Sequence, residues 1–147
     1  MSVSYTHIAC FIDDSEAAAR ALEHAVALRD ATGAKLTVIH VLAPPRFLVS
    51  LAAGLGGAPV HDTEVEKEAA EMWLAEEARS AGAEAVLLEG HPASTAVEWA
   101  RDSDADVLVA ASHRAVVERA LLGSFAGYLA HHAPCPVFLI PPEQGGS

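Results

Sequence analysis

The stretch Asp106-Val-Leu-Val-Ala-Ala-Ser-His-Arg114 runs through Ala115-Val-Val-Glu-Arg-Ala-Leu-Leu-Gly123 into Ser124-Phe-Ala-Gly-Tyr-Leu-Ala-His-His-Ala-Pro-Cys-Pro-Val-Phe-Leu-Ile-Pro-Pro142. Val107 to Ala111 is continuously apolar, the pattern of a strand buried on both faces. Ser124 to about His132 reads as a helix, and Val137 to Ile140 as a second buried strand, entered through Pro134 and Pro136 and stopped by Pro141. Gly123-Ser124 falls where the loop between strand and helix becomes the helix. A helix start carries free backbone N–H groups and the positive end of the dipole. Beside the carboxyl end of a parallel strand, it is a place to hold a phosphate.

The same alternation extends upstream. Thr6 to Ile12 is a short apolar run, and Asp13, Asp14 and Ser15 follow it as polar groups suited to capping a helix. From Glu16 to Thr32, the residues Ala18, Ala21, Leu22, Ala25 and Leu28 keep a helical stripe that Gly33 ends. Lys35 to Leu42 is a second apolar strand, so the helix between the two implies a right-handed parallel crossover. Pro44-Pro45 closes it, and the segment from Arg46 to Asp62, with three glycines, is longer than most loops and is expected to be flexible. Thr63-Glu64-Val65-Glu66 has the form of a capping box, and Val65, Ala69, Met72 and Trp73 then suggest the inward face of a helix ending near Gly82. Ala85 to Leu88 is a third strand, Gly90-His91-Pro92 a turn, and Ala93, Val97 and Ala100 mark a helix to about Ser103. Five strands alternating with four helices specify one doubly wound parallel α/β domain over residues 1–147, with helices on both faces and a frayed tail at 143–147.

Composition narrows the function classes. A net charge of −11 argues against nucleic acid or an anionic membrane as a partner, because both require clustered Lys and Arg. Cys10 and Cys135 each lie in an apolar run and read as structural thiols in a reducing cytoplasm. No run approaches the roughly 20 apolar residues that span a bilayer, and the first residues lack the pattern of an export signal. The eight histidines show no metal-ligand spacing on a shared helix face, and His131-His132 suit the negative end of the last helix. There is no Gly-x-Ser-x-Gly elbow, no Gly-x-Gly-x-x-Gly after the first strand and no Walker lysine, so hydrolase, dehydrogenase and P-loop readings are disfavoured and no catalytic residue is assigned.

What remains is a binding crevice. Ser112, His113 and Arg114 follow the fourth strand and Asp13 follows the first, at the edge where open α/β sheets bind ligands. If those strands are neighbours, these residues and Gly123-Ser124 face one crevice. Asp13 also suits a plain turn, and Gly123-Ser124 a glycine turn with a serine cap.

The opening Ile-Asp-Asp-Ser-Glu, the Gly-x-Pro turn at Gly90, and above all Asp-Val-Leu-Val through Leu-Leu-Gly-Ser to His-Ala-Pro-Cys-Pro-Val resemble the universal stress protein family over nearly the whole chain. The resemblance implies the strand order 3-2-1-4-5, a cytoplasmic stress-response role and a homodimer through strand 5, here Val137, Phe138, Leu139 and Ile140. It places Asp13 at the family's acidic adenine-side position, Val41 near its adenine-contacting backbone and Gly123-Ser124 at its phosphate end. ATP-binding members carry Gly-x-x-Gly, nine residues, then Gly-Ser or Gly-Thr. Ala111 and Arg114 stand where the two loop glycines belong, Gly123 comes one residue early, and Ala126 replaces a family hydroxyl. Glycine lets a backbone approach a phosphate closely, and Arg114 supplies charge without that geometry. The expectation is a non-enzymatic signalling domain with a degenerate nucleotide crevice and weak or absent ATP binding. The alternative is a genuine ATP-binding member that uses ATP as a switch or hydrolyses it slowly, and another adenine nucleotide as ligand stays open.

Overall fold

The computed structural model describes residues 2–43, 63–113 and 124–143. In chain order they form β1 (His7–Phe11), α1 (Glu16–Thr32), β2 (Lys35–Leu42), α2 (Thr63–Ala81), β3 (Glu84–Glu89), α3 (Pro92–Asp102), β4 (Val107–Ala111), α4 (Ser124–His132) and β5 (Val137–Ile140). The five strands make one parallel sheet in the order β3-β2-β1-β4-β5. β1 pairs with β2 on one side, Ile8 opposite Leu36, and with β4 on the other, Ile8 opposite Val107. The order of connection therefore reverses between β1 and β4, and their carboxyl ends part there.

The period of two along each strand divides the core into two layers. Ile8, Cys10, Ile12, Val38, Val107 and Val109 pack with Ala21, Leu22 and Ala25 of α1 and Leu74 and Ala78 of α2. Ala9, Phe11, Ile39, Leu108 and Ala110 face Ala96, Val97 and Ala100 of α3 and Leu129 of α4. The small alanines let the helices sit close on the sheet, which explains how so few aromatic residues suffice. Cys10 lies in the first layer and Cys135 against the second, and both are free thiols. Burial pushes the Cys10 thiol up to about 12, so it stays protonated and behaves as a small apolar group.

Local chemistry sets the ends of the elements. Ser15 caps α1, its Oγ accepting from the Ala18 N–H at 3.1 Å. Gly33 closes α1 at φ 72°, its N–H donating to the Arg29 carbonyl at 2.8 Å. Arg29 reaches across to donate to the carbonyls of Ala81 and Gly82, tying the end of α1 to the end of α2. At the amino edge of the sheet, Asp106 accepts from the N–H and hydroxyl of Thr6 and from the N–H of His7 at 2.8 to 3.0 Å. His7 is itself buried between Asp104 at 2.6 Å and Thr37 Oγ1 at 2.7 Å.

Several expectations shift. β1 is His7–Phe11 rather than Thr6 to Ile12: the Thr6 N–H and hydroxyl turn to Asp106, while its carbonyl accepts from the Lys35 N–H. β3 gains Glu84 and Glu89, which pair with Thr37 and Leu42 of β2. Thr63 is the first helical residue of α2 rather than its cap. The inward face of α2 is also corrected: Val65, Ala69 and Met72 are exposed, Trp73 packs inward as expected, and the buried residues are Leu74 and Ala78, with Ala81 beside them. Leu74 and Ala78 keep i, i+4 spacing, with Trp73 and Ala81 two turns apart beside them, and this face lets small residues meet the sheet, which a stripe through Met72 would not. Within the segments expected to be flexible, 44–62 and 144–147 lie outside the described residues.

Candidate functional site

Where β1 and β4 part, a cleft of about 190 Å³ opens at the carboxyl edge of the sheet. Its floor is apolar: Phe11, Ile39, Ala110 and Ala111 from the strand ends and Phe125 from the first turn of α4, with the Phe11 and Phe125 rings 5.9 Å apart. Ile12, Ala18, Val41 and Pro92 form the sides. The polar groups that reach it are Asp13, His40 and His113. An apolar floor, its Phe11 and Phe125 rings inclined at 65°, with a few polar groups at the mouth suits an amphipathic ring.

Each wall follows from the sequence around it. Asp13 comes just after β1, where the chain turns into α1, and its Oδ1 accepts from the Ser15 N–H at 2.9 Å. The turn and rim readings are thus compatible, since a carboxylate has acceptor sites beyond the one used in the turn. Pro92 is the first residue of α3, whose cap position, His91, makes no side-chain cap. Gly90 sits at φ 146°, donates its N–H to the Leu42 carbonyl at 3.0 Å and so brings Pro92 to the cleft beside the end of β2. α1, α3 and α4 all begin at this edge, so three positive helix ends surround the opening.

Of the residues singled out from sequence, Asp13, Val41, Ala111 and His113 are brought together around the cleft. Ser112 is buried, with its N–H bonded to the Ile140 carbonyl at 2.9 Å, so its backbone serves the sheet rather than the opening. Ser124 is exposed at the start of α4, beside the cleft-lining Phe125. Arg114 and Gly123 lie outside the described residues. Sequence reasoning missed Phe11, His40, Pro92 and Phe125. His40 carried a signal, a polar ring inside the apolar run of β2. Its Nδ1 lies 2.7 Å from the Ile12 carbonyl and its ring meets Trp73 of α2 edge-on, with centroids 5.2 Å apart.

A smaller hollow of about 80 Å³ lies on the other side of Asp13, lined by Asp14, Ser15, Trp73 and Glu77 among others. Asp13, Asp14 and Glu77 give this hollow an excess of negative charge. Among the described residues no group of three or more His, Cys, Asp or Glu side chains could hold a metal ion. His131 and His132 end α4, where His132 packs on Tyr128 at 4.3 Å between centroids. No helix among the described residues is long and apolar enough to cross a membrane.

In β5, the outer strand of the sheet, the four residues are not equivalent. Val137 and Leu139 pack against the α3/α4 layer and Ile140 against the α1/α2 layer. Phe138 is 38% exposed and meets the ring of Tyr5 edge-on at 6.0 Å.

Comparison with known proteins agrees with this architecture. The sequence profile of the universal stress protein family matches residues 4–141. A universal stress protein from Thermus aquaticus is 33% identical over 135 residues, covering 87% of this chain and 93% of the relative. Among solved structures, the universal stress protein UspA from Lactobacillus plantarum superposes with a TM-score of 0.67 at 26% identity, covering 95% of this chain and 99% of that one. The universal stress protein from Archaeoglobus fulgidus in complex with dAMP superposes with a TM-score of 0.62 at 23% identity, covering 94% and 99%.

Proposed function

Because this chain belongs to the universal stress protein family, we propose that it is a cytoplasmic stress-response signalling domain, not an enzyme, whose cleft takes the adenosine end of an adenine nucleotide and binds ATP weakly. The observation that carries this reading is the asymmetry of the cleft. The groups suited to a purine ring are in place: the Phe11 and Phe125 floor, the Val41 side and the Asp13 carboxylate, which can accept from ribose hydroxyls or an exocyclic amine. On the phosphate side, Ala111 puts a methyl group into the wall where a close backbone approach would call for glycine. Arg114 replaces the second glycine, and the loop to Gly123 is one residue short of the ATP-binding pattern. Size argues the same way. At about 190 Å³ the cleft is smaller than the roughly 300–1,000 Å³ that encloses a drug-sized ligand, so a base fits while sugar and phosphates lie at the mouth. The dAMP held by the Archaeoglobus fulgidus protein is a ligand of this kind. Two free thiols suit a reducing compartment.

The test is titration calorimetry with AMP, dAMP and Mg-ATP, accompanied by native mass spectrometry of protein taken directly from cells. The expected result is that the monophosphates bind at least as tightly as Mg-ATP. A sub-micromolar dissociation constant for Mg-ATP would overturn the proposal in favour of an ATP switch.

A further inference from the structure

His40 has a place in the cleft that neither its strand nor the core requires. Phe11 is the last residue of β1, and Ile12 beyond it is held at both ends: its N–H donates to the Ile39 carbonyl at 2.8 Å, and its carbonyl lies 2.7 Å from His40 Nδ1. A carbonyl can only accept, so Nδ1 carries the proton and donates. The Ile12 carbonyl belongs to the planar unit that also contains the nitrogen and Cα of Asp13. Fixing that plane fixes the direction in which Asp13 leaves the strand. The imidazole is braced in turn by Trp73 of α2, edge-on at 5.2 Å. Downstream, Asp13 Oδ1 receives the Ser15 N–H, completing a chain from α2 through His40 and the Ile12–Asp13 peptide to the cap of α1.

We infer that His40 is a positioning residue that aims the Asp13 carboxylate into the cleft by holding the Ile12–Asp13 peptide plane. The inference rests on the reading of the cleft as an adenine-nucleotide site for its effect on affinity, but its structural part stands apart from any ligand. The peptide bond leaves Asp13 only a small set of directions, and without the imidazole donor the Ile12 carbonyl turns to water and takes Asp13 with it.

Two substitutions separate the donor from the bulk of the ring. Asparagine places an amide N–H close to where His Nδ1–H stands, whereas leucine fills the space and donates nothing. His40→Leu is expected to weaken AMP binding by on the order of tenfold, as for a lost hydrogen bond that orients a charged group, and to speed exchange of the Ser15 amide seen by NMR. His40→Asn is expected to keep both near wild type. In an Asp13→Ala background, His40→Leu should weaken AMP binding no further, because it acts through Asp13. A folded His40→Leu protein with unchanged Ser15 exchange, an Asn variant as impaired as Leu, or additive losses in the double variant would each overturn the assignment. If His40→Leu fails to fold, the Asn variant decides alone: loss of Ser15 protection overturns the assignment, and retention upholds it. Wild-type protein that binds no adenine nucleotide would sink the proposed function, while the exchange measurements would still decide the role of His40.

Discussion

Gly90 shows how one residue can fix a wall of the cleft. Its φ of 146° is a region that L side chains rarely adopt, and a Cβ built on it would stand 2.4 Å from Thr95 Oγ1. Gly90→Ala is therefore expected to destabilise the protein by about 1–3 kcal/mol through backbone strain alone, and to lower the midpoint of thermal unfolding by several degrees. Adding Thr95→Ala should recover only the part due to the clash, and full recovery would show that the backbone angle is not the constraint. The turn itself was legible in Gly90-His91-Pro92, as were Asp13 and His113 at strand ends, while Val41 and Ala111 were singled out only through the family resemblance. Phe11, His40 and Phe125 were not. A continuously apolar strand gives no sign of which side chain turns to which face, and whether a ring lines a cleft or fills a core depends on the neighbour across the sheet. His40 needed the Ile12 carbonyl to be seen beside it, a contact made across 28 positions of sequence.

Helix α2 is the element whose sequence misled. Its apolar residues are sparse among many glutamates, so two stripes on different faces of the helix looked alike, and only the packing of Leu74 and Ala78 in the layer of Val38 and Leu36 decides between them. Leu74→Ala is expected to cost about 2–5 kcal/mol, the range for emptying a core leucine site, while Met72→Asp should change stability by less than about 0.5 kcal/mol as an exposed substitution. Urea unfolding of the two variants checks this, and the opposite ranking would restore the Met72 face. Strands β1 and β4 are joined at their starts by Asp106. Burial alone would raise its carboxyl, but the N–H groups of Thr6 and His7 and the Thr6 hydroxyl hold it below the ordinary carboxylate value. The hydrogen bond from His7 does the same for Asp104. A carboxyl lowered in the folded state stabilises fully above its unfolded value near 4 and loses that contribution as pH falls through its lower folded value. Asp106→Asn should thus cost on the order of 1 kcal/mol at pH 7, since partial exposure screens it. The gap from wild type should narrow once pH drops below about 4. Thermal unfolding from pH 7 to pH 3 measures it, and a gap that widens in acid would reverse the assigned sign.

At the scale of the whole molecule β3 and β5 are the outer strands of the sheet among the described residues, and they differ in charge. β3 begins and ends with glutamates, Glu84 paired with Lys35 at 3.1 Å and Glu89 with Lys67 at 3.5 Å. Charges of this kind keep a sheet edge from pairing with another chain. β5 is Val-Phe-Leu-Ile, without a charge, and its exposed Phe138 lies beside Tyr5. An apolar edge without such charges invites pairing, so we expect a twofold axis through β5 to join two copies edge to edge with Phe138 of each against the other. Sequence left open which alternate of β5 faces outward. The packing of Val137 and Leu139 on the core makes them unsuitable as probes, because a charge there would unfold the chain, and leaves Phe138 as the informative position. The protein is accordingly expected to be a dimer by light scattering at tens of micromolar, and Phe138→Asp to be a folded monomer by light scattering and circular dichroism. Charge supplies an independent check. Each chain carries −11, so two copies repel, and salt that shortens the Debye length from about 10 Å at 0.1 M toward about 3 Å at 1 M should tighten the dimer. A dimer held by ion pairs would loosen instead. A wild-type monomer, a folded dimeric Phe138→Asp variant, or dissociation on adding salt would each rule out the β5 interface.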